Sequence, residues 1–162
     1  MAAEYTGVGG VRRDYAGSTE TGVPGVESRI GVVEELTVSF TYDTLPGLGN
    51  AGADPVVSYI PANALIVASY FEVTTDFDST SGTTTIDLGT ATAAGAEIDL
   101  DGIDADVVTA DGSNVGWTVN DGVDIGTAAS ASANAYLQVT PSTDDLEAGA
   151  ATWTVQFIRT AA

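Results

Sequence analysis

The chain has 162 residues, with 4 arginines and no lysine against 23 acidic residues, and its formal net charge at pH 7 is -19. It contains no histidine and no cysteine. These counts exclude a basic nucleic-acid footprint, attraction to anionic membranes, disulfides and Cys or His zinc sites, and catalysis by Ser–His, Cys–His or Schiff-base lysine groups. We therefore expect no nucleic acid, no membrane and no cofactor among the partners.

The composition also predicts a folded domain. Hydrophobic residues make up 44% of the chain and charged residues only 17%, whereas disordered acidic chains combine high charge with low hydrophobicity. The first residues lack the basic and apolar regions of a signal peptide. We expect one domain, in a polypeptide that stays in the cell that makes it or leaves on lysis.

The first 30 residues differ from the rest. Glycine recurs every few residues and no period of 2 or 3.6 is present, so residues 1–30 are predicted to form an extended glycine-rich arm and residues 31–162 a β-sandwich domain. The arm holds three of the four arginines. It is either an ordinary loose terminus or a segment that docks on a partner. In the second case the partner-binding residues are Tyr5, Arg12, Arg13, Tyr15 and Arg29.

Alternating patterns predict strands through the first half of the sandwich. The first strand runs through residues 32–43, with Leu36, Val38, Phe40 and Tyr42 on one face. A short strand follows at 56–60 and a long one from residue 64. Its predicted faces are Leu65, Val67, Ser69, Phe71 and Val73 on one side, and Ala64, Ile66, Ala68 and Tyr70 on the other. A turn at 78–82 leads into a strand at 83–89, which is predicted to be its hairpin partner.

The second half continues in the same style. Short strands are predicted at 97–100, 107–109, 115–119 and 122–125, then a loop of small residues at 127–133 in which a helix is the alternative. Strands at 135–140 and 152–159 follow, separated by a turn at 141–149. Trp153 lies on a core-type face, and for Trp117 the core is also the expected place. Many short strands without β–α alternation predict an all-β, jelly-roll-like antiparallel sandwich of about eight strands.

Carboxylates are the main groups left for chemistry. Asp99, Asp101, Asp104 and Asp106 form the densest cluster, and such oxygens can bind calcium, but the pattern is more typical of a solvated turn in an acidic protein. Paired carboxylates can also hydrolyse glycosides, although the aromatic residues of a sugar cleft are lacking. We therefore expect no catalytic residues and no metal site, and no enzymatic activity.

One run of the sequence resembles a known type of protein. The segment Ile60-Pro-Ala-Asn-Ala-Leu-Ile-Val-Ala-Ser-Tyr-Phe-Glu-Val-Thr-Thr-Asp-Phe-Asp, followed by Thr84-Thr-Ile-Asp-Leu-Gly-Thr, is similar to small virion proteins of tailed bacteriophages. The resemblance extends over about residues 55–160, and the capsid decoration (cement) proteins and related β-sandwich modules are the nearest type. It carries no catalytic or ligand positions.

This resemblance implies a structural role on a virion. Such proteins bind the outside of the capsid and stabilise it, often as trimers. The implied partners are therefore a major capsid protein and copies of the chain itself, which would form a homotrimer. The implied location is the capsid surface, after assembly in the host cytoplasm. The alternative is a phage fibre or adhesin module that binds host surface glycans, which predicts exposed aromatic residues.

Overall fold

The computed structural model describes residues 4–6, 12–14, 33–47, 58–109, 115–130, 132–142 and 145–159. These residues form strands and turns without a helix, and none of them belongs to a helix that could cross a membrane. The ten strands are β1 Glu4–Thr6, β2 Arg12–Asp14, β3 Val33–Thr41, β4 Tyr59–Ile60, β5 Ala64–Ser79, β6 Thr85–Ala91, β7 Glu97–Thr109, β8 Gly116–Val119, β9 Ala135–Pro141 and β10 Leu146–Arg159.

Eight of these strands form two four-stranded antiparallel sheets, in the orders β3-β10-β5-β8 and β4-β9-β6-β7. Four of the pairs are nested along the chain: β6 with β7, β5 with β8, β4 with β9, and β3 with β10. They describe one long hairpin that rolls up, and the rolling adds the pairs β5–β10 and β6–β9. This is the topology of a jelly roll, so the predicted all-β, jelly-roll-like sandwich is confirmed.

The core lies between the two sheets. Its largest fully buried side chains are Trp153, Phe71 and Phe77 from the first sheet, with Ile86 and Leu137 from the second. Burying such side chains stabilises the fold by about 1.5–3 kcal/mol each. The core position predicted for Trp153 is therefore confirmed.

A β-bulge changes which side of β5 faces the core. Gln156 of β10 pairs with Ala68, but the next residue, Phe157, pairs with Ile66 and leaves Val67 without a register partner. Since side chains alternate strictly along a strand, one extra residue exchanges the faces. Ile66 is buried before the bulge, and Ser69, Phe71 and Val73 are buried beyond it. The predicted faces of β5 are therefore wrong before the bulge, where Leu65 and Val67 are only half-buried.

Three further predictions are corrected. The strand β6 is not the hairpin partner of β5, because β10 and β8 already occupy both edges of β5 and β6 lies in the other sheet. The segment 122–125 is a turn, closed by the N–H of Ile125 donating to the carbonyl of Gly122 at 3.0 Å. The strands predicted at 97–100 and 107–109 are one continuous strand, β7. Within the described part of 127–133 the chain has bends and a bridge but no helix.

Candidate partner-binding surface

The outer face of the β3-β10-β5-β8 sheet is largely polar. Hydroxyl groups pair across β3 and β10, with Oγ1 of Thr37 3.1 Å from Oγ1 of Thr154 and Oγ of Ser39 3.0 Å from Oγ1 of Thr152. Both residue types suit a solvent-facing strand position. Threonine has a high strand propensity, serine is small, and both present a hydroxyl group to solvent. Over these two strands the outer face is therefore hydrophilic.

The edge strand β8 breaks this polar pattern. Val115, Trp117 and Val119 are 63%, 68% and 70% exposed, and they alternate along one side of the strand. The expected core position of Trp117 is therefore wrong. The reason is an inverted alternation, because the inward-facing positions of β8 hold Thr118 and the buried Asn120 instead of apolar side chains. The sequence Val-Gly-Trp-Thr-Val shows the alternation but not which side faces the core.

A buried polar junction holds β8 against β5. Ser69 is fully buried, and its Oγ accepts hydrogen bonds from Nε1 of Trp153 at 2.9 Å and from Nδ2 of Asn120 at 2.6 Å. The N–H of Asn120 also donates to the carbonyl of Ser69 at 3.0 Å. Since buried polar groups are stable only when they are hydrogen-bonded, this junction fixes the inward side of β8 and leaves the apolar side outward.

Acidic residues border the exposed apolar strip. Glu72 is the register partner of Trp117 on β5, Asp76 accepts a hydrogen bond from the N–H of Val115 at 2.9 Å, and the exposed Asp121 follows the strand. The surrounding domain is acidic as well, because residues 31–162 contain nineteen acidic residues against Arg159, a net charge of -18. At the opposite edge of the sheet Nε of Arg159 lies 2.8 Å from Oε1 of Glu34. An apolar strip with an acidic border suits a partner that carries both apolar and cationic groups.

Two members of the predicted aspartate cluster, Asp104 and Asp99, form carboxylate pairs with Asp121 and Asp124, in and just before the 122–125 turn. Burial and then the charge of Asp121 raise the pKa of Asp104, and burial and then the charge of Asp99 raise the pKa of Asp124. Gly102 lies beneath the second pair, so close that a side chain there would meet both carboxyl groups. Asp101 and Asp106 are exposed. No group of three His, Cys, Asp or Glu side chains arranged to hold a metal ion occurs among the residues described.

Three of the five predicted arm residues lie in the described part of the chain. Tyr5 belongs to β1, and Arg12 and Arg13 belong to β2. These two strands pair antiparallel with Tyr5 opposite Arg13. Tyr15 and Arg29 lie outside the described residues, so the arm as a partner-binding segment stays a prediction. The exposed strip on β8 was not predicted.

A second exposed aromatic group lies on the other sheet. Tyr59 on β4 and Tyr136 on β9 are register partners. The centroids of their rings lie 5.5 Å apart, and the ring planes are inclined by 48°. Tyr59 is about half exposed and Tyr136 is half-buried. Exposed aromatic groups are enriched at interfaces, so both sheets present one.

The fold places the chain among the jelly-roll sandwiches, and comparison with solved structures narrows the group that it resembles. A chain in the capsid asymmetric unit of cyanophage Pam1 superposes with a TM-score of 0.55 and 16% identity, over 88% of this chain and 95% of that one. A chain in the capsid of Ralstonia phage GP4 gives a TM-score of 0.55 and 16% identity, over 85% of this chain and 90% of that one. No protein-family model and no curated protein sequence matches the chain. The resemblance to phage β-sandwich modules is thus confirmed at the level of the fold.

Proposed function

We propose that this chain is a virion structural protein that binds the outside of a tailed-phage capsid as a decoration, or cement, protein. The observation that carries the proposal is the nearly end-to-end match with a chain of a phage capsid asymmetric unit, over 88% of one chain and 95% of the other. Such coverage in both directions supports the proposal because it is what two chains built on the same fold would give. The proposed role is non-enzymatic.

The proposed partners are a major capsid protein and copies of the chain itself. Three copies would form a homotrimer on the capsid surface, and the capsid would assemble in the host cytoplasm. Cyclic symmetry is the commonest way in which identical chains close an assembly. Binding would stabilise the shell by burying surface and by multivalent attachment, since each subunit that bridges several others gains a high effective concentration. The arginines of the arm, Arg12, Arg13 and Arg29, are the proposed ion-pair donors to acidic capsid groups.

Reconstitution on undecorated capsids of the parent phage tests this proposal. We expect the full chain to bind saturably and to raise the temperature at which the capsids open, and the chain without residues 1–30 to bind less. A charge-reversed chain, with Arg12→Glu and Arg13→Glu, separates the role of the arginines from that of chain length. Urea unfolding of every variant controls for the fold. Absence of binding by the full chain would refute the decoration role, and unchanged occupancy by the truncated chain would refute only the role of the arm.

A second candidate function is glycan binding by a fibre or adhesin module. The observation that favours it is the exposure of Trp117 and of the Tyr59–Tyr136 pair, because aromatic rings stack on sugar faces. A glycan array probed with the full chain, with Trp117→Ala and with Tyr59→Ala tests it. Binding that disappears in either variant would support this function, whereas equal signals from all three chains would argue against it.

A further inference from the structure

Among the described strands, β8 ends its sheet with one edge that no other strand pairs with. Within the described residues it pairs with β5 alone. Edge strands are templates for another strand, and natural proteins usually protect them with charge, proline or a covering segment. Here the edge carries Val115, Trp117 and Val119, each more than three-fifths exposed. An edge that is both apolar and unpaired is the kind of surface that binds an extended segment by strand addition.

The charges around the edge define the segment that fits it. Glu72 lies directly across from Trp117, where side chains of an antiparallel pair are about 5 Å apart. An arginine opposite Trp117 on an added strand would contact the indole face, and its long side chain would extend across that ring toward the Glu72 carboxylate on the far side. The matching strand has an arginine at its centre and apolar or aromatic residues two positions away on each side.

The chain carries one such segment itself. In Val11-Arg12-Arg13-Asp14-Tyr15, the alternate residues Val11, Arg13 and Tyr15 would share one side of a strand formed on binding, and Arg12–Asp14 is strand β2. We propose that this segment of a second copy adds antiparallel to β8, with Arg13 opposite Trp117, Tyr15 opposite Val115 and Val11 opposite Val119. Among the described residues of one copy, β2 pairs with β1 and not with β8, and the proposal therefore takes the partner strand from another copy.

This inference rests on the proposed function only in taking the arm as the segment that binds partners. It adds the receptor for the arm and the chemistry of recognition, and it is tested in solution without a capsid. Its failure is therefore distinguishable from failure of the decoration role.

Tryptophan fluorescence provides a direct readout. The chain has two tryptophans; Trp153 is fully buried and Trp117 is 68% exposed, so acrylamide quenching reports on Trp117. For the full chain we expect mass to rise with concentration, measured by light scattering, while quenching falls. In Arg13→Glu and in Glu72→Arg, quenching should stay high at every concentration, because like charges then lie on the two strands that flank Trp117. Combining the two changes should restore the protection of Trp117.

Glu97→Arg is the matched control, because it makes the same change of charge as Glu72→Arg at an exposed position of β7 in the other sheet, and it should behave as the unmodified chain. A rise in mass without protection of Trp117 would show that copies associate through another surface and would overturn the proposal. A chain that stays monomeric, with Trp117 protected only by added capsids or by a glycan mixture, would also overturn it and would assign β8 to that partner.

Discussion

Replacing Ser69 by alanine should cost far more stability than its small size suggests. The Ser69 hydroxyl accepts hydrogen bonds from both Trp153 and Asn120 in a fully buried place. Alanine would leave an indole N–H and an amide N–H without an acceptor. An unsatisfied buried donor costs about 1–3 kcal/mol, so we expect a total loss of about 2–4 kcal/mol in the free energy of unfolding. That is a large part of the ~5–15 kcal/mol typical of a domain.

Urea unfolding, followed by tryptophan fluorescence, measures the loss. With a slope of about 1–3 kcal/mol per M, the midpoint should fall by about 1–2 M. Ser39→Ala is the matched control, because Ser39 bonds Thr152 on the solvent side of the same sheet, and it should change stability by no more than about 0.5 kcal/mol. Equal effects of the two substitutions would refute the argument. Combining Ser69→Ala with Trp153→Phe should cost less than the sum of the single changes, since both remove the same bond.

Three other perturbations have defined outcomes. Gly149→Ala should lower the free energy of unfolding by at least about 3 kcal/mol, because the new methyl group would meet the ring of Phe77, while Gly82→Ala, in open space at a φ of 65°, should cost about 1–2 kcal/mol. Melting temperatures of both variants check this. The pKa values of Asp104 and Asp124 are raised in the folded chain. Their charged forms therefore lower the free energy of unfolding at pH 7. This loss of stability disappears as the pH falls through those pKa values and both groups become protonated. Asp124→Asn should therefore stabilise the chain at pH 7 by up to about 1 kcal/mol and gain less on acidification; an unchanged pH dependence would contradict this. Raising NaCl from about 0.05 to about 0.5 M should raise the melting temperature, because screening weakens repulsion among the net -19 charges.

The sandwich is predictable from the sequence because its strands alternate clearly. The segments 36–41, 64–77, 135–140 and 152–159 all lie within observed strands. Their pairing is not predictable in the same way, since it depends on contacts between distant segments. The expected β5–β6 hairpin is wrong because rolling the long hairpin brings β10 to the edge of β5. The faces of β5 are wrong before Val67 because a bulge has no marker in a run of apolar residues.

The exposed strip on β8 illustrates a deeper limit. Alternation shows that Val115, Trp117 and Val119 share a side, and burial statistics favour the apolar side inward. Only the structure shows that Asn120 takes the inward position through its bonds to Ser69. The same applies to the carboxylate pair of Asp99 and Asp124, which lie 25 positions apart in sequence and converge above Gly102.

The acidic residues around β8 disfavour pairing of this apolar edge with the β8 edge of a second copy. If β8 of one copy paired with β8 of another, their apolar strips would match, but the contact would bring together two domains that each carry a net charge of -18, from nineteen acidic residues and one arginine, with the exposed Asp121 at the end of each β8. Like charges that meet across an interface cost free energy and select against the wrong partner. A strand with a central arginine removes the conflict, since its charge meets Glu72 instead of adding to it. The uneven division of charge, with three arginines in residues 1–30 and one in the remainder, thus favours arm-to-edge binding over edge-to-edge binding.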